Sequence, residues 1–376
     1  MANVLDYLDW RGDLTLAQSP FSHVDSLVLC RLSYLPFEGI LPGLYSDTAI
    51  SIFQAAERLL GDTSSPVIQA SQKKLTPRDG KLLQKLAQSR RFSHMTLSKY
   101  INSVDRATQK QFSALTVHTG DGCLYVAYRG TDSTLVGWKE DFNMGFMTPV
   151  PSQREAISYL EHIAHNSSEQ LRVGGHSKGG NLAIYAAAFS SPSIQSRILQ
   201  VDSHDGPGFL PKVMHSAGYQ AIRSKITTFL PQSSVIGMLL EHEEEYIIVQ
   251  SSQRGMLQHD LYSWNVMADN FIRLNHITKG SHVVDKTLKE WIAQMNVVQR
   301  EQLVDGLFQI LNASGAHTIS DLKNGSRIRA ALAMISTMRQ FDPATKHVLS
   351  QTLRSLFQLI RKNAPLLFSK NAQKHL

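Results

Sequence analysis

The sequence is poor in cysteine, with only Cys30 and Cys123 among its 376 residues. Two cysteines cannot build a disulfide framework, and they are too few for a cysteine-rich metal site. No apolar run approaches the length of a membrane span. The first residues, MANVLDYLDWRGDL, also lack the basic-then-apolar pattern of a secretory signal. We therefore expect a soluble, intracellular and cytoplasmic protein, and no residue pattern calls for a metal or another cofactor.

Charge is unevenly distributed along the chain. The formal net charge is +7, and basic residues outnumber acidic ones in residues 300–376. Such a basic tail suits peripheral contact with an anionic membrane surface, although a solvated helix face has the same composition. No nucleic-acid-binding motif accompanies the charge, so we expect no nucleic-acid partner. A hydrophobic content of 42% excludes a disordered chain.

The order of apolar patterns predicts three regions. Residues 1–93 read as a mainly helical N-terminal region that packs on or covers the core, residues 94–300 as an α/β core, and residues 301–376 as a basic helical C-terminal extension. Strands alternating with helices in the core imply a mostly parallel central sheet with helices on both faces, and a hairpin adds antiparallel strands at one edge. The predicted strands are 112–117, 123–128, 171–174, 197–203, 225–230 and 245–251, and the predicted helices are about 48–60, from 77 onwards, 152–165, 178–189, 281–311, 326–340 and 345–362.

The last predicted helix carries an apolar stripe. Its members are Leu353, Leu356, Phe357, Ile360 and Leu366 or Leu367. A stripe of this kind is more typical of a helix docked on a protein core than of one docked on a membrane. We therefore expect this face to be packed against the rest of the protein.

The most informative motif is Gly175-His176-Ser177-Lys178-Gly179, a G-x-S-x-G pattern. An apolar, strand-like run precedes it, and an alanine-rich helix pattern follows. This is the context of a nucleophile elbow, in which a sharp turn between strand and helix exposes the serine hydroxyl. The glycines two before and two after Ser177 remove side chains that would collide across the turn. We expect Ser177 to be a catalytic nucleophile rather than part of a turn that only packs a helix on a sheet.

A nucleophilic serine needs a histidine base, and in proteins with such an elbow the histidine comes last in the chain. His259 follows the final predicted strand, in a loop that opens with Gly255. We therefore predict His259 as the base. His242 and His282 are the alternatives.

The base in turn needs a carboxylate to orient it. Asp205 lies at the carboxyl end of the strand 197–203, where loop residues converge on the site of such sheets. The Gly-Pro-Gly turn that follows it would hold the carboxylate in place, but an aspartate here could equally just cap that turn. Asp205 is our prediction for the acid, with Asp202, Glu241 and Asp260 as alternatives.

An oxyanion hole needs backbone N–H donors. One comes from the residue after the nucleophile, here Lys178. The loop Tyr128-Arg129-Gly130-Thr131, at the end of the strand 123–128, is expected to supply the other. Gly130 allows close approach of the backbone, and Thr131 could add a hydroxyl.

Two stretches carry a resemblance to a known family. Residues 126–131 (VAYRGT) and 175–183 (GHSKGGNLA) resemble the class 3 lipases of the α/β-hydrolase fold. The likeness is closer still to a bacterial, largely uncharacterised branch of lipase-like hydrolases. That branch shares the start at residues 6–13 (DYLDWRGD), the elbow, and the Gln-His-Asp loop at residues 258–260.

The sequence departs from the lipase pattern at the acid. Class 3 lipases have an aspartate where this chain has Ser234, and a glycine where it has Asp205. Either the acid has moved to the neighbouring strand end or the triad is incomplete. Lys178, usually leucine in lipases, would place a charge beside the oxyanion site, which suits an anionic or polar head group.

The resemblance implies a serine hydrolase that acts on a carboxylic ester, with a small-molecule or lipid-like substrate. A thioesterase or peptidase using the same residues is an alternative, and so is a non-catalytic binding protein on the same fold. The sequence leaves the substrate, the acyl chain length and the oligomeric state open.

Overall fold

The computed structural model describes residues 1–132, 134–314, 318 and 327–367. Over this range the chain is a mixed α/β protein in which helices flank a large central sheet. Part of the predicted C-terminal extension, including its last residues 368–376 and the side chain of Leu367, lies outside the described residues.

Helices and strands are numbered in chain order. The helices are α1 (Val4–Arg11), α2 (His23–Leu32), α3 (Ile52–Leu60), α4 (Pro66–Lys74), α5 (Pro77–Gln88), α6 (Leu135–Asn143), α7 (Pro151–His165), α8 (Lys178–Phe189), α9 (Pro192–Arg197), α10 (Pro211–Met214), α11 (Ala217–Ile222), α12 (Lys279–Ala293), α13 (Val297–Ala313), α14 (Arg327–Gln340) and α15 (Pro343–Asn363). The strands are β1 (Ile50–Ser51), β2 (Thr96–Asp105), β3 (Lys110–His118), β4 (Cys123–Tyr128), β5 (Gln170–His176), β6 (Ile198–His204), β7 (Ile226–Pro231), β8 (Tyr246–Val249), β9 (Val266–Met267), β10 (Asn270–Phe271) and β11 (Arg273–Leu274).

The main sheet has nine strands within the described part of the chain, in the order β1-β2-β3-β4-β5-β6-β7-β8-β11. Strands β4 to β8 are parallel neighbours. Strands β1 to β4 pair antiparallel, as does β11 with β8. Because the carboxyl ends of parallel strands meet at one edge, the residues that follow β4, β5, β6 and β7 come together there.

Strand β4 shows how the sheet separates two cores. Tyr125 and Ala127 point into a cluster built largely from the N-terminal helices. Leu124, Val126 and Tyr128 point into a cluster with α7 and α8. This alternation is the period of two of a β-strand, and all six residues of β4 are buried. The N-terminal region thus covers one face of the sheet, and α7 and α8 cover the other.

Two elements in the first part of the chain differ from the sequence prediction. The first helix predicted near residue 48 begins at Ile52, because Ser51 caps it and Ile50 pairs with Leu97 of β2. Strand β2 was not predicted, since polar residues interrupt it and a bulge lies between Ser98 and Ile101.

The helix predicted over 281–311 is two helices, α12 and α13. Asn296 ends the continuity because its side chain accepts a hydrogen bond from the Gln299 backbone amide, and the Gln299 side-chain oxygen accepts one from the Asn296 backbone amide. This capping box, Asn-x-x-Gln, was readable from the sequence as a helix start.

The C-terminal helices pack on the core through α13. Its Val304 and Phe308 form a small apolar cluster with Leu135 of α6, and Lys139 of α6 pairs with Asp305 at 2.7 Å. Among the described residues, no helix is both long enough and apolar enough to cross a membrane.

Candidate active site

Ser177 lies between the end of β5 and the start of α8, with φ +58° and ψ −133°. This is a strained conformation for a residue with a side chain, and such strain is found where a site requires an unusual geometry. The Ser177 amide donates to the carbonyl of His204 at 3.0 Å. The half-buried serine is therefore fixed at the carboxyl edge of the sheet.

The two flanking glycines are required by contacts of the backbone. A Cβ atom on Gly175 would collide with the Gly179 carbonyl group, and one on Gly179 would collide with the carbonyl oxygen of Tyr128. A Cβ on Gly130 would in turn collide with the His176 carbonyl and with the Ser177 side chain. The loop after β4 therefore approaches Ser177 more closely than any other residue type would allow.

The structure brings His259 and Asp205 together. His259 Nδ1 lies 2.6 Å from Asp205 Oδ2. The Asp205 side chain is 1% exposed, whereas that of His259 is 28% exposed. Because a carboxylate only accepts hydrogen bonds, Nδ1 carries the hydrogen in this pair, and the lone pair of a neutral ring then lies on Nε2.

The second carboxylate oxygen of Asp205 is also held. Ser234 Oγ donates to Asp205 Oδ1 at 2.5 Å, and the Gly237 amide donates to the same oxygen at 3.2 Å. Asp205 itself has φ +52°, and its amide donates to the Phe229 carbonyl at 2.8 Å. Ser234 and Gly237, which follow β7, thus hold a carboxylate that follows the neighbouring strand β6.

Ser177 and His259 are not hydrogen-bonded to one another in the part of the chain that the structure describes. The ring of His176, the residue before the serine, lies 4.4 Å from the His259 ring between centroids. No described residue donates to or accepts from His259 Nε2.

A second histidine connects three loops of the site. The Nε2 atom of His176 lies 2.9 Å from the His259 carbonyl oxygen, so Nε2–H donates. Burial lowers the pKa of His176 well below its usual range, with the neighbouring His259 adding to the effect. Nδ1 of the neutral ring then accepts from the Tyr34 hydroxyl at 2.9 Å, and that hydroxyl accepts from the Gly130 amide at 3.0 Å.

This network changes which groups face a developing oxyanion. The Gly130 amide is already bonded to Tyr34, so it is not available. The Thr131 hydroxyl donates to Asp141 at 2.5 Å, so the expectation that this hydroxyl faces the oxyanion is wrong here. The backbone amide of Lys178, at the first position of α8, has no intrahelical acceptor. The Thr131 amide also has no acceptor among the described residues.

The side chain of Lys178 does not lie beside the oxyanion site, contrary to expectation. It is 1% exposed and bonded to Glu140 at 2.9 Å. The ammonium group also donates to the Gln111 carbonyl and side-chain oxygens at 2.7 and 2.8 Å. Its charge is therefore compensated inside the protein and is not available to a substrate head group.

Asp141, on α6, is an acid near the site whose pKa is perturbed. Burial raises the pKa of its carboxyl group to about 6, although the charge of Lys178 and the hydrogen bond from Thr131 act against burial. The carboxylate fixes the Thr131 side chain and thereby the loop after β4. Since Asp141 lies on α6, which packs on α13, the C-terminal helices support this loop indirectly.

The alternative residues lie elsewhere or have other partners. Asp260 pairs with Arg78 at 2.6 Å, and Glu241 is exposed. His282 is exposed on α12. The His242 side chain packs against Glu244, with 2.7 Å between Nδ1 and the carboxylate.

Asp202 contacts His23 of the N-terminal region at 3.1 Å instead of His259. Of the acids considered from the sequence, Asp205 is therefore the one bonded to His259.

The N-terminal region also contacts the loop that carries His259. The Tyr262 hydroxyl donates to Asp79 at 2.7 Å, and Arg31 pairs with the same carboxylate at 2.7 Å. Gln258, which precedes His259, accepts a hydrogen bond from the Ser233 amide at 2.7 Å. Sequence reasoning missed Tyr34 and this group of contacts, because no motif marks them.

The described geometry defines a class: a mixed α/β protein with a strained serine at a strand–helix turn and an aspartate–histidine pair beside it. The model of the Mbeg1-like family matches residues 86–309. Because this match covers more than half of the 376 residues, the chain belongs to the Mbeg1-like family. No curated protein matches the chain in sequence.

Several solved fungal lipases show weak structural similarity. One fungal lipase has a TM-score of 0.37 and 11% identity, with 68% of this chain and 87% of that chain covered. A mutant form of MDLA from Penicillium cyclopium has a TM-score of 0.36 and 12% identity, with coverages of 66% and 83%. The Rhizomucor miehei lipase–propeptide complex has a TM-score of 0.31 and 17% identity, with coverages of 41% and 57%. The chain thus spans little more than half the length of that last lipase chain.

Proposed function

We propose that this protein is a serine hydrolase of the α/β-hydrolase type that cleaves a carboxylic ester through an acyl-enzyme. Ser177 is the nucleophile, His259 the general base and Asp205 the acid that orients the base. The observation that carries the proposal is the 2.6 Å contact between His259 Nδ1 and Asp205 beside the strained Ser177. The contact fixes the tautomer that a base requires, and it leaves Nε2 free to accept the serine proton.

In the acylation step, Ser177 Oγ attacks the ester carbonyl carbon while its proton moves to His259 Nε2. The carbonyl oxygen becomes an oxyanion, and the backbone amides of Lys178 and Thr131 donate to it. Collapse of this intermediate breaks the bond to the alcohol oxygen, which takes the proton from Nε2. The acyl group is then esterified to Ser177.

In the deacylation step, a water molecule gives its proton to His259 Nε2 and attacks the acyl carbon. The second tetrahedral intermediate releases a carboxylic acid, and the proton returns to Ser177 Oγ. Asp205 stabilises the imidazolium in both steps without taking its proton.

Lipid-like esters are the substrate class that we propose first. Met256 and Leu257, three and two residues before His259, are 65% and 67% exposed. Trp138 and Phe142 on α6, near the loop of Thr131, are also exposed. Exposed large apolar side chains close to a site suit an apolar acyl group, and the sequence resemblance to class 3 lipases points the same way.

Thioesters and peptides can be attacked by the same residues, so both remain alternative substrates. A binding protein without catalysis is the alternative outside enzymes. The discriminating feature is reactivity of the serine, because only an activated serine reacts rapidly with a fluorophosphonate.

The first test is the Ser177→Ala variant of the full chain. We expect loss of hydrolysis of p-nitrophenyl esters by about a thousandfold to a millionfold in kcat, with unchanged thermal stability. A fluorophosphonate probe should modify Ser177, as mapped by mass spectrometry. Ser193→Ala, which removes an exposed serine on α9, is the matched control and should retain full activity. Equal rates for Ser177→Ala and the wild-type protein would refute the nucleophile, and an unlabelled, inactive wild-type protein would favour the binding protein.

A further inference from the structure

Three large apolar side chains of α15 are exposed: Leu353 at 47%, Phe357 at 65% and Ile360 at 46%. Their spacing of four and three residues puts them on one face of the helix. A different face of α15 is buried through Thr352, Leu359 and Asn363. The apolar stripe expected to dock on the core therefore faces solvent over much of its length within the described residues.

Cations lie next to this stripe. Arg354 is three residues before Phe357 and Arg361 is four residues after it, so both are its neighbours on the helix surface. Neither arginine has a hydrogen-bond or ion-pair partner among the described residues. The helix has no acidic residue from Pro343 to Asn363. By contrast, the ammonium groups of Lys346 and Lys362 do have partners in the protein.

We propose that this face of α15, which we call the α15 face and define by Leu353, Arg354, Phe357, Ile360 and Arg361, binds an anionic phospholipid membrane surface. Amphipathic helices that lie in a bilayer interface combine large apolar side chains with arginine or lysine. The apolar side chains enter the boundary between head groups and acyl chains. The arginines stay at the level of the phosphates, to which guanidinium groups donate in pairs.

Charge argues against two other occupants of the α15 face. A symmetric contact with a second copy would bring Arg354 and Arg361 of both copies together without an acid in either helix, which costs like-charge repulsion. The last residues of the chain, 368–376, contain Lys370 and Lys374 and no acid. They offer nothing that complements the two arginines.

The location of α15 gives this binding a functional context. The helix packs on α12 and α13, and α13 packs on α6, which carries Asp141. Attachment through the α15 face would bring the candidate active site to a bilayer that contains lipid esters. The proposal does not depend on hydrolysis, however, because binding can be measured with Ser177→Ala.

The test is sedimentation of the full chain with vesicles of phosphatidylcholine alone or of phosphatidylcholine mixed with phosphatidylglycerol. We expect binding to the mixed vesicles that weakens with salt, since surface charges are screened. The variant Arg354→Gln with Arg361→Gln should bind roughly 25-fold more weakly, because each arginine near an anionic surface contributes about fivefold. Leu353→Ser with Phe357→Ser and Ile360→Ser should weaken binding more than about tenfold.

Two control variants match these changes elsewhere on the protein. Lys81→Gln with Arg90→Gln removes the same charge from exposed positions of the N-terminal region. Phe53→Ser with Leu60→Ser removes exposed apolar side chains from α3. Both controls and Ser177→Ala should bind as the wild-type protein does. Circular dichroism melts of every variant show that each one is folded.

Three outcomes would overturn the proposal. The wild-type protein could fail to sediment with the mixed vesicles, or both α15 variants could bind as well as their controls. The third is a concentration-dependent dimer, seen by light scattering, that the triple serine variant dissociates; a second copy would then occupy the α15 face. None of these results bears on ester hydrolysis, so failure here is distinguishable from failure of the proposed function.

Discussion

Two histidine–carboxylate pairs are connected through Gly237, and they differ in what the second ring nitrogen does. In one pair, His259 Nδ1 lies 2.6 Å from Asp205, and Nε2 has no partner among the described residues. In the other, His242 Nδ1 lies 2.7 Å from Glu244, and Nε2 lies 2.6 Å from the Gly237 carbonyl. The His259 side chain is 28% exposed and that of His242 is 7% exposed.

Under the proposed function, this difference separates the pair assigned to catalysis from a pair that holds structure. Both ring nitrogens of His242 have a partner in the protein, so neither is left for a nucleophile. Burial by itself raises the pKa of Glu244, but the hydrogen bond and charge of His242, together with hydrogen bonds from Tyr219 and Thr228, outweigh burial and hold that pKa at about 2. A carboxylate beside a histidine is therefore not enough for a general base; the ring must also keep a free nitrogen within reach of the nucleophile.

Gly237 connects the two pairs. Its carbonyl accepts from His242, while its amide donates to Asp205. A Cβ at this position would collide with the Asp205 carboxylate, so glycine is required. We infer that the His242–Glu244 pair holds the segment that carries Gly237, and that this segment positions Asp205. The connection makes the contrast between the two pairs testable.

The largest expected effect is seen when each histidine is replaced by glutamine: one variant should lose activity, and the other should lose stability. His259→Gln should lower kcat on p-nitrophenyl esters by about ten-thousandfold to a millionfold, because the proposed base is lost, and should leave stability near that of the wild type. His242→Gln should instead destabilise the protein by roughly 3–5 kcal/mol, since it leaves the buried Glu244 without its partner. Steady-state kinetics and urea unfolding of both variants check this. Similar activity losses in the two variants, at similar stability, would contradict the division of roles.

The next effect concerns the carboxylate of the catalytic pair. Asp205→Asn should keep the fold and reduce kcat by up to about ten-thousandfold, because an amide favours the wrong tautomer of His259. If Asp205 only caps the Gly206-Pro207-Gly208 turn, the same change should cost about 1 kcal/mol of stability and spare kcat. Kinetics and urea unfolding on this one variant separate the two cases. Normal activity with lost stability would remove Asp205 from the mechanism.

The smallest effect is a pH dependence of stability that belongs to the buried pair. A depressed pKa means that Glu244 stabilises the folded state fully above its ordinary pKa of 4.5 and loses this effect as the pH falls toward about 2. The difference in unfolding free energy between the wild type and Glu244→Gln should therefore shrink across that interval. Urea unfolding at a series of pH values measures it, with Glu57→Gln, an exposed acid on α3, as the control. A difference that stays constant from neutral pH to pH about 2 would show that Glu244 carries no such charge.

Sequence reasoning found the elements whose causes are local. The hairpin between β3 and β4 follows from its turn residues, with Gly120 and Gly122 at positive φ. Helix α5 begins where Thr76 and Pro77 predict it. Prediction was less accurate where two local signals competed. The apolar period alone indicates one long helix over residues 281–311, whereas the capping box at Asn296 starts a second helix there.

The Gln-His-Asp loop, residues 258–260, shows more clearly which contacts the sequence does not predict. The sequence marks the three residues as a motif, but the structure gives each a different partner. Gln258 holds the Ser233 amide, His259 contacts Asp205, and Asp260 pairs with Arg78. Only the second of these contacts was predicted, because chain order and strand ends constrain a base and its acid but not a supporting residue.

The sequence by itself determined the elbow. Ser177 at positive φ, with glycines on either side, depends on contacts of the backbone across a few residues and on the loop after the neighbouring strand. Only the tertiary structure decided where the side chains around it go. Tyr34 reaches His176 from far away in the chain, and the Lys178 ammonium turns inward to Glu140 instead of toward a substrate. The physical reason is that a buried charge or hydroxyl takes whichever partner the packing of distant helices supplies, and no local pattern encodes that choice.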